Sequence, residues 1–278
     1  MKNIVIRTLS GAVYVALIVA SIMLLDNSPI AFIIVFSLFT MIGIKEIYDM
    51  SRNEATESWL IILIDMLGGI GLFLSFYLNT KEVTPSSTYF LLVAAYLLVR
   101  CIIQLYRPRQ NAVHSLARSF FALFYVALPM GLLNNIVAVS APRILLGVFV
   151  FIWVNDTGAF LAGITFGKHR LFERISPKKS WEGFAGGVIA CILAAIATDK
   201  WCNEFFQVPE LATWIGLAVV VSIAATFGDL TESLIKRTEG VKDSGHIIPG
   251  HGGILDRIDS LLLVSPAVLI YLSLIIHH

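Results

Sequence analysis

The part of the sequence best suited to chemistry lies between Gly228 and Ser260, where carboxylates, basic residues and glycines are interspersed. At its start, four polar residues recur at helical spacing, so that one helix face would carry Asp229, Glu232, Ser233 and Lys236. The following stretch, residues 240–253, contains five glycines and one proline and must end that helix. The pattern therefore predicts a polar helix end followed by an irregular, glycine-rich loop.

The glycine-rich loop is suited to binding phosphate. The backbone around His251 has little side-chain cover, because its neighbours include Gly250, Gly252 and Gly253. Its N–H groups could therefore approach an anion closely. A new helix beginning near residue 254 would carry Asp256 and Asp259 on one face of its first turn, where the helix dipole favours carboxylates.

This combination indicates metal-assisted chemistry on a phosphate-bearing substrate. Mg²⁺ binds through one or two carboxylates together with phosphate oxygens, and Lys and Arg neutralise the remaining phosphate charge. The plainer interpretation is a solvated loop whose charges only mark one side of a membrane. Carboxylates at both ends of the loop favour the metal site. His251 could contact phosphate, act as an acid–base group or make only a structural hydrogen bond.

A second candidate region begins at Asn155 and Asp156, which interrupt an otherwise apolar stretch. A carboxylate at the centre of a membrane helix costs about 2.5–3.5 kcal/mol on insertion scales, so Asp156 is a functional candidate. If the N-terminus lies in the cytoplasm, Asp156 would lie in the cytoplasmic half of its span and face a polar cavity. The alternative is that it pairs with a polar group on a neighbouring helix.

The loop after this stretch contains the sequence ISPKKSWEG, residues 175–183. It offers donors to phosphate from Lys178, Lys179 and Ser180. Pro177 is expected to break the helix, which would leave these donors in a turn. The close grouping of polar residues in this motif favours contact with a nucleotide or a lipid headgroup. The alternative is that the lysines only help to orient the protein in the membrane.

The elements that position these residues are membrane helices. The chain is 57% hydrophobic and 14% charged, whereas soluble domains carry about 25% charged residues. A span needs about 20 mostly apolar residues. Stretches of this kind occur at residues 9–25, 30–47, 59–78, 89–106, 120–139, 144–164, 184–197, 211–227 and 258–276. The sequence predicts an all-α polytopic membrane protein with about nine transmembrane helices, and its net charge of +1 gives no reason to expect nucleic-acid binding.

The distribution of basic residues predicts the orientation. With the N-terminus in the cytoplasm and the C-terminus outside, 17 of the 20 Lys and Arg residues fall on the cytoplasmic side. The long loops at 165–183 and 229–257 then face the cytoplasm, and so would an active-site cavity. We expect about five helices without a motif in residues 1–140 and a catalytic region in residues 141–278. Residues 1–25 are expected to form a retained helix and not a cleaved signal peptide.

These residues resemble the phosphatidate cytidylyltransferase family, also called CDP-diacylglycerol synthases. The family signature reads Ser-x-x-Lys-Arg, a gap of four residues, Lys-Asp, then Pro-x-His-Gly-Gly and Asp-Arg-x-Asp. It is matched without departure by Ser233, Lys236, Arg237, Lys242, Asp243, Pro249, His251, Gly252, Gly253, Asp256, Arg257 and Asp259. The upstream segments NDTGAF and ISPKKSWEG also look like family motifs.

The resemblance implies that CTP and phosphatidic acid react to give CDP-diacylglycerol and pyrophosphate. It also implies a Mg²⁺ cofactor, with a second cation left open, and a homodimer in the inner membrane of the cell. Because the lipid phosphate is itself the nucleophile, catalysis would consist of positioning and charge neutralisation at the α-phosphate of CTP.

The matching positions supply the expected site residues. The metal ligands would be Asp229 and Asp256, with Asp259 as an additional ligand or as a partner that orients them, and Asp156 would complete the catalytic group. The substrates would be bound by Lys178, Lys179, Ser180, Lys236, Arg237, Lys242, Asp243, His251, Gly252, Gly253 and Arg257.

An ion-coupled membrane transporter is the alternative function, since Asp156 and Asp65 could form an ion pathway. A transporter would predict inverted repeats or broken helices in matching halves, and the sequence has neither. Two other classes of phospholipid enzyme fit less well. The DGxxAR…GxxxDxxxD pattern of CDP-alcohol phosphatidyltransferases and the histidine set of lipid phosphate phosphatases are absent from the sequence.

Overall fold

The computed structural model describes residues 2–50, 57–85, 87–107, 111–206, 210–248, 250 and 252–276. Among these residues, nine helical segments are long and apolar enough to cross a membrane. Each coincides with a stretch that the sequence predicts to be a span, so the all-α polytopic architecture is confirmed.

The helices follow one another along the chain. They are α1 (Lys2–Met23), α2 (Ile30–Met50), α3 (Trp59–Thr80), α4 (Thr88–Leu105), α5 (Ala112–Ala122), α6 (Leu128–Val139), α7 (Pro142–Phe166), α8 (Trp181–Phe206), α9 (Leu211–Thr238) and α10 (Leu255–Ile276). A π-helical turn, Leu123–Ala127, joins α5 to α6, and the three segments form one span. Between α7 and α8 lie two strands, β1 (Arg170–Phe172) and β2 (Ser176–Ser180).

Several helices extend beyond their apolar stretches. The seventh span, predicted as the shortest, has 26 residues in α8. Helix α9 continues past Asp229 to Thr238, as the spacing of its polar residues predicts. The helices are longer because a helix continues until its backbone hydrogen bonding is interrupted, commonly at a helix-breaking residue. Hydropathy identifies only the part of the helix that is apolar enough to lie in lipid.

The loop before α8 is a hairpin. Strands β1 and β2 pair antiparallel, with Arg170 opposite Ser180 and Phe172 opposite Ser176. The predicted turn at Lys178 and Lys179 is therefore wrong, since both lie on β2. Pro177 lacks a backbone donor, which a short, two-stranded ribbon tolerates.

The chain divides into two compact units. The first comprises Met1–Asn135 and Glu239–Arg257, and the second comprises Ile136–Thr238 and Ile258–His278. The core of the second unit includes Trp214, whose ring centroid lies 4.9 Å from that of Phe151 and 5.8 Å from that of Phe206. Helices α7 and α8 approach so closely that a Cβ added to Gly158 would lie 2.5 Å from the Cβ of Ala190. Small residues permit such close packing between membrane helices.

The first unit contains a buried polar network centred on Asp65. This carboxylate accepts hydrogen bonds from the hydroxyls of Tyr48 and Tyr96 and lies 3.3 Å from Nε of Arg100. Nε of Arg100 also donates to Oγ of Ser119 over 2.9 Å. Arg100 is fully buried within α4. An ion pair with several hydrogen bonds explains how these charges are accommodated inside a helix bundle.

Candidate active site

A cavity of about 490 Å³ lies within the second unit. Its walls are formed by α7, α8, the hairpin and the part of α9 around Asp229. Its polar lining includes Asp156, Arg170, Lys178, Lys179, Ser180 and Asp229, and its apolar lining includes Phe160, Ile164 and Phe184. The structure therefore brings five of the expected site residues to one cavity that has both charged and apolar walls.

Asp229 is held by two neighbours. Its Oδ2 lies 2.6 Å from Nζ of Lys179, and both side chains are partly exposed. Its Oδ1 accepts a hydrogen bond of 3.2 Å from Oγ of Ser233, one helical turn along α9. An exposed ion pair of this kind contributes little to stability. Both charges can therefore exchange partners when a charged ligand enters.

Gly228 brings Asp259 close to Asp229. A Cβ added to Gly228 would lie 2.8 Å from the carbonyl oxygen of Asp259 and 2.9 Å from Cα of Ser260. Only glycine permits this approach of the two backbones. Asp229 and Asp156 lie near enough to repel the negative charge of Asp259, and Lys236 attracts it.

Asn155 fixes the register of α7 beside the cavity. It is buried, and its Oδ1 accepts a hydrogen bond of 2.6 Å from Oγ of Ser222 on α9. The next residue, Asp156, is exposed on the cavity wall. Polar side chains that link membrane helices in this way stabilise their packing. Asn155 is therefore a packing residue whose bond to α9 sets the position of Asp156.

The hairpin is attached to α8 through Glu182. Its carboxylate accepts hydrogen bonds from the backbone N–H groups of Lys168 and His169. It also lies 2.6 Å from Nδ1 of His169. Ser180, at the end of β2, is buried, and its Oγ accepts a hydrogen bond from N of Gly183. These bonds hold the Lys178–Ser180 segment at the cavity.

Lys236 has a buried protein partner. It forms an ion pair with Glu232, four residues earlier on α9, and both side chains are buried. The sequence places the two residues on one helix face, but it gives no indication that Glu232 is fully buried. Arg237, the next residue, is exposed.

The glycine-rich loop belongs to the first unit. Gly240, Gly250 and Gly252 have positive φ angles of 70°, 77° and 84°, a backbone conformation that glycine adopts readily. Oδ2 of Asp256 accepts hydrogen bonds from N of Ser244 at 3.0 Å and from N of Gly253 at 2.8 Å. The N–H of Gly253, expected to face a phosphate, thus has a protein acceptor.

The other predicted residues of this loop are placed as follows. Lys242 and Asp243 line another cavity of about 540 Å³, within the first unit, together with Lys45 and His246. Arg257 is exposed in α10, and its carbonyl oxygen accepts a hydrogen bond from the hydroxyl of Tyr14. His251 lies outside the described residues.

The carboxylates near the cavity have the ligand chemistry that a hard cation prefers, but few of them are gathered in one place. Their oxygens are the ligands that Mg²⁺ prefers. Over the described residues, however, no group of three or more His, Cys, Asp or Glu side chains is gathered into a metal site. In proteins, Mg²⁺ is usually bound by one or two carboxylates, and water and phosphate oxygens supply its remaining ligands. The negative charges of Asp229 and Asp156 both act on Asp259, so added positive charge beside Asp259 is favourable.

Taken together, the fold and this cavity describe a polytopic membrane protein with a pocket lined by both charged and apolar side chains. The model of a family described as the cytidylyltransferase family matches residues 5–275. The chain belongs to this cytidylyltransferase family. That membership does not support the transporter alternative.

Proteins named phosphatidate cytidylyltransferase are among its curated relatives. One from Haemophilus influenzae is 47% identical over 124 residues, which are 44% of this chain and 43% of that protein. One from Staphylococcus epidermidis is 44% identical over 132 residues, or 47% of this chain and 49% of that protein. One from Staphylococcus aureus is 44% identical over 126 residues, or 45% and 46% respectively. Each aligned segment thus spans less than half of the relative's length.

Proposed function

We propose that the protein transfers the cytidylyl group of CTP to phosphatidic acid, forming CDP-diacylglycerol and pyrophosphate. The observation that carries this proposal is the cavity of the second unit, where Asp156, Lys179 and Asp229 adjoin the apolar side chains of Phe160 and Ile164. A lipid phosphate requires both charged and apolar surroundings. The names of the curated relatives support the same reaction.

In this reaction an oxygen of the lipid phosphate attacks the α-phosphorus of CTP. The bond between the α-phosphorus and the bridging oxygen breaks, and pyrophosphate leaves with the electron pair. The attacking phosphate is already an anion, so no protein nucleophile is needed. Lys178, Lys179 and Arg170 offset the negative charges that would otherwise keep the two substrates apart. Ser180 provides a hydroxyl at the same wall.

We propose Mg²⁺ as the cofactor, held by Asp229 and Asp259 with Asp256 as a further ligand, and Asp156 as the remaining acid of the site. When bound, the ion would supply a Lewis acid that neutralises charge on the phosphate oxygens. Lys179 is the residue that balances the charge of Asp229 before substrate enters.

The signature residues at the end of α9, in the glycine-rich loop and at the start of α10 are proposed to bind the triphosphate of CTP. They are Lys236, Arg237, Lys242, Asp243, His251, Gly252, Gly253 and Arg257. In this proposal residues 141–278 supply most of the reacting groups, and residues 1–140 support them. We further propose an N-in, C-out orientation with the cavity open to the cytoplasm, a location in the inner membrane and a homodimer.

The test is a reconstituted assay. The purified protein is incubated in phosphatidic acid vesicles with Mg²⁺ and one of CTP, dCTP, ATP, GTP or UTP, while CDP-lipid and pyrophosphate are both measured. We expect equal amounts of the two products with CTP, and their loss when the metal is chelated. Titration of Mg²⁺ with and without K⁺ addresses the second cation. Absence of CDP-lipid under all conditions would overturn the proposal.

A variant pair locates the reaction. Asp229→Asn should reduce kcat by about 100-fold or more, because it removes a proposed metal ligand and a charge from the cavity. Asp199→Asn is the matched control, since Asp199 is another aspartate of the second unit and contacts Asn203 away from the cavity. Equal activities of the two variants would exclude Asp229 as a metal ligand.

A further inference from the structure

A buried carboxylate in the N-terminal half contacts the glycine-rich loop. Glu46 lies on α2, is 1% exposed and belongs to no motif recognised in the sequence. Its Oε1 accepts a hydrogen bond of 2.9 Å from N of Ile254. Its Oε2 accepts bonds of 2.8 Å from N of Leu255 and from Oγ of Ser244. One side chain thus links Ser244 within the loop to the start of α10.

The glycines of the loop leave room for this carboxylate. A Cβ added to Gly245 would lie 2.6 Å from Oε1 of Glu46, and one added to Gly253 would collide with Oε2 and with Oγ of Ser244. Gly253 has no positive φ. Its requirement for glycine is therefore steric and comes from Glu46, which explains part of the glycine pattern without any bound phosphate.

The same loop residues hold Asp256. The backbone N–H groups of Ser244 and Gly253 both donate to Oδ2 of Asp256. Glu46 binds the hydroxyl of Ser244 and the amide of the residue that follows Gly253. Displacing Glu46 would therefore displace both groups that orient the Asp256 carboxylate.

We infer that Glu46 is a positioning residue for the loop, which orders Ser244, Gly253 and Ile254 and thereby fixes the carboxylate of Asp256. The physical basis is that a buried carboxylate is stable only when its oxygens are fully hydrogen-bonded. Here one donor is the hydroxyl of Ser244 in the loop, and the other two are the backbone N–H groups of Ile254 and Leu255 at the start of α10. Glu46 and the loop therefore stabilise each other. The catalytic consequence rests on the proposed function, whereas the ordering of the loop does not.

Glu46→Gln is the sharpest substitution. The two backbone N–H groups bind different oxygens of Glu46, and a glutamine has only one oxygen. In either orientation of the amide, one N–H would face an NH₂ group. Residues that orient a metal ligand typically change metal affinity or activity by about 10–100-fold when mutated. We expect kcat to fall by about 10-fold or more and the Mg²⁺ concentration for half-maximal activity to rise.

Amide hydrogen exchange supplies a measurement that needs no catalysis. In Glu46→Gln we expect faster exchange in peptides that cover residues 244–255, with unchanged exchange in α8. Ser244→Ala removes one of the three donors to Glu46 and should give a smaller change in the same peptides. Glu204→Gln, at an exposed position on α8, is the control and should leave both exchange and kinetics unchanged.

The outcomes separate this inference from the proposed function. Slow exchange at residues 244–255 in Glu46→Gln would overturn the inference even if the wild-type protein makes CDP-lipid. Faster exchange with unaltered kcat and Mg²⁺ dependence would overturn the link to Asp256. If Glu46→Gln shows faster exchange but the wild-type protein makes no CDP-lipid, the structural role of Glu46 stands and the proposed function is refuted.

Discussion

The close approach of α9 and α10 at Gly228 leads to a quantitative prediction. In Gly228→Ala the new Cβ would lie 2.8 Å from the carbonyl oxygen of Asp259 and 3.0 Å from that of Ser260. Ordinary contacts of a Cβ begin at 3.4 Å, so the two backbones must separate by roughly half an ångström. The obstructing atoms are backbone atoms and cannot rotate away. Overpacking of this kind costs about 1–3 kcal/mol.

The separation would also alter the spacing of Asp229 and Asp259, which flank the contact. A misplacement of about 1 Å can reduce activity by about 100-fold, so a shift of half that size should reduce kcat by about 10-fold. The assay combines thermal unfolding in detergent with steady-state production of CDP-lipid. We expect Gly228→Ala to lower both the unfolding temperature and kcat.

Gly71→Ala is the matched control for this prediction. Gly71 lies in the membrane helix α3, and a Cβ added there would meet no atom within 4 Å. The control should preserve kcat and leave the unfolding temperature equal or slightly higher, because alanine favours the helix. If Gly228→Ala behaves like Gly71→Ala, the two helices do not approach as the structure describes.

Three further predictions concern the lysines of β2, the buried network around Asp65 and the ion pair between Lys179 and Asp229. Replacing both Lys178 and Lys179 by alanine should raise KM for CTP or phosphatidic acid by about 10-fold, as measured by varying each substrate in turn; unchanged KM values would mean that the lysines only orient the protein in the membrane. Asp65→Asn should lower the free energy of unfolding by about 3–5 kcal/mol, because Arg100 would remain buried without its carboxylate; an unchanged unfolding temperature would refute that role. Lys179→Met combined with Asp229→Asn should show a combined loss of stability that is smaller than the sum of the single variants by only about 0.2–1 kcal/mol, since the two side chains form a partly exposed ion pair; a combined loss larger than that sum would contradict the pairing.

Much of the fold follows from the sequence because local patterns determine it. Apolar stretches of membrane-spanning length identify the helices, and the polar residues after Asp229 correctly predict that α9 continues to Thr238. The hairpin was not predicted. Pairing β1 with β2 depends on contacts between the two strands and on Glu182, which binds backbone groups 13 and 14 residues earlier. Periodicity in one segment cannot report such contacts.

The candidate site, like the fold, could be predicted from the sequence only in part. Residue types and spacing select the aspartates, lysines and glycines of the motifs, and they show that Lys236 shares a helix face with Glu232. They do not show that Glu232 is buried. They also cannot reveal Glu46, because its partners lie 198 to 209 residues away along the chain. For Glu46, the available signal was a carboxylate near the end of an apolar span.

The sequence by itself determined the membrane architecture, the family signature and the kinds of group available for chemistry, since these depend on composition and short-range spacing. Tertiary structure alone decided which groups meet. It placed Lys179 against Asp229, brought Asp259 next to Asp229 through Gly228, and directed the amides of the glycine-rich loop to Glu46 and Asp256. The physical reason is that each buried polar group must find a partner, and only the packing of distant helices determines which partner is within reach.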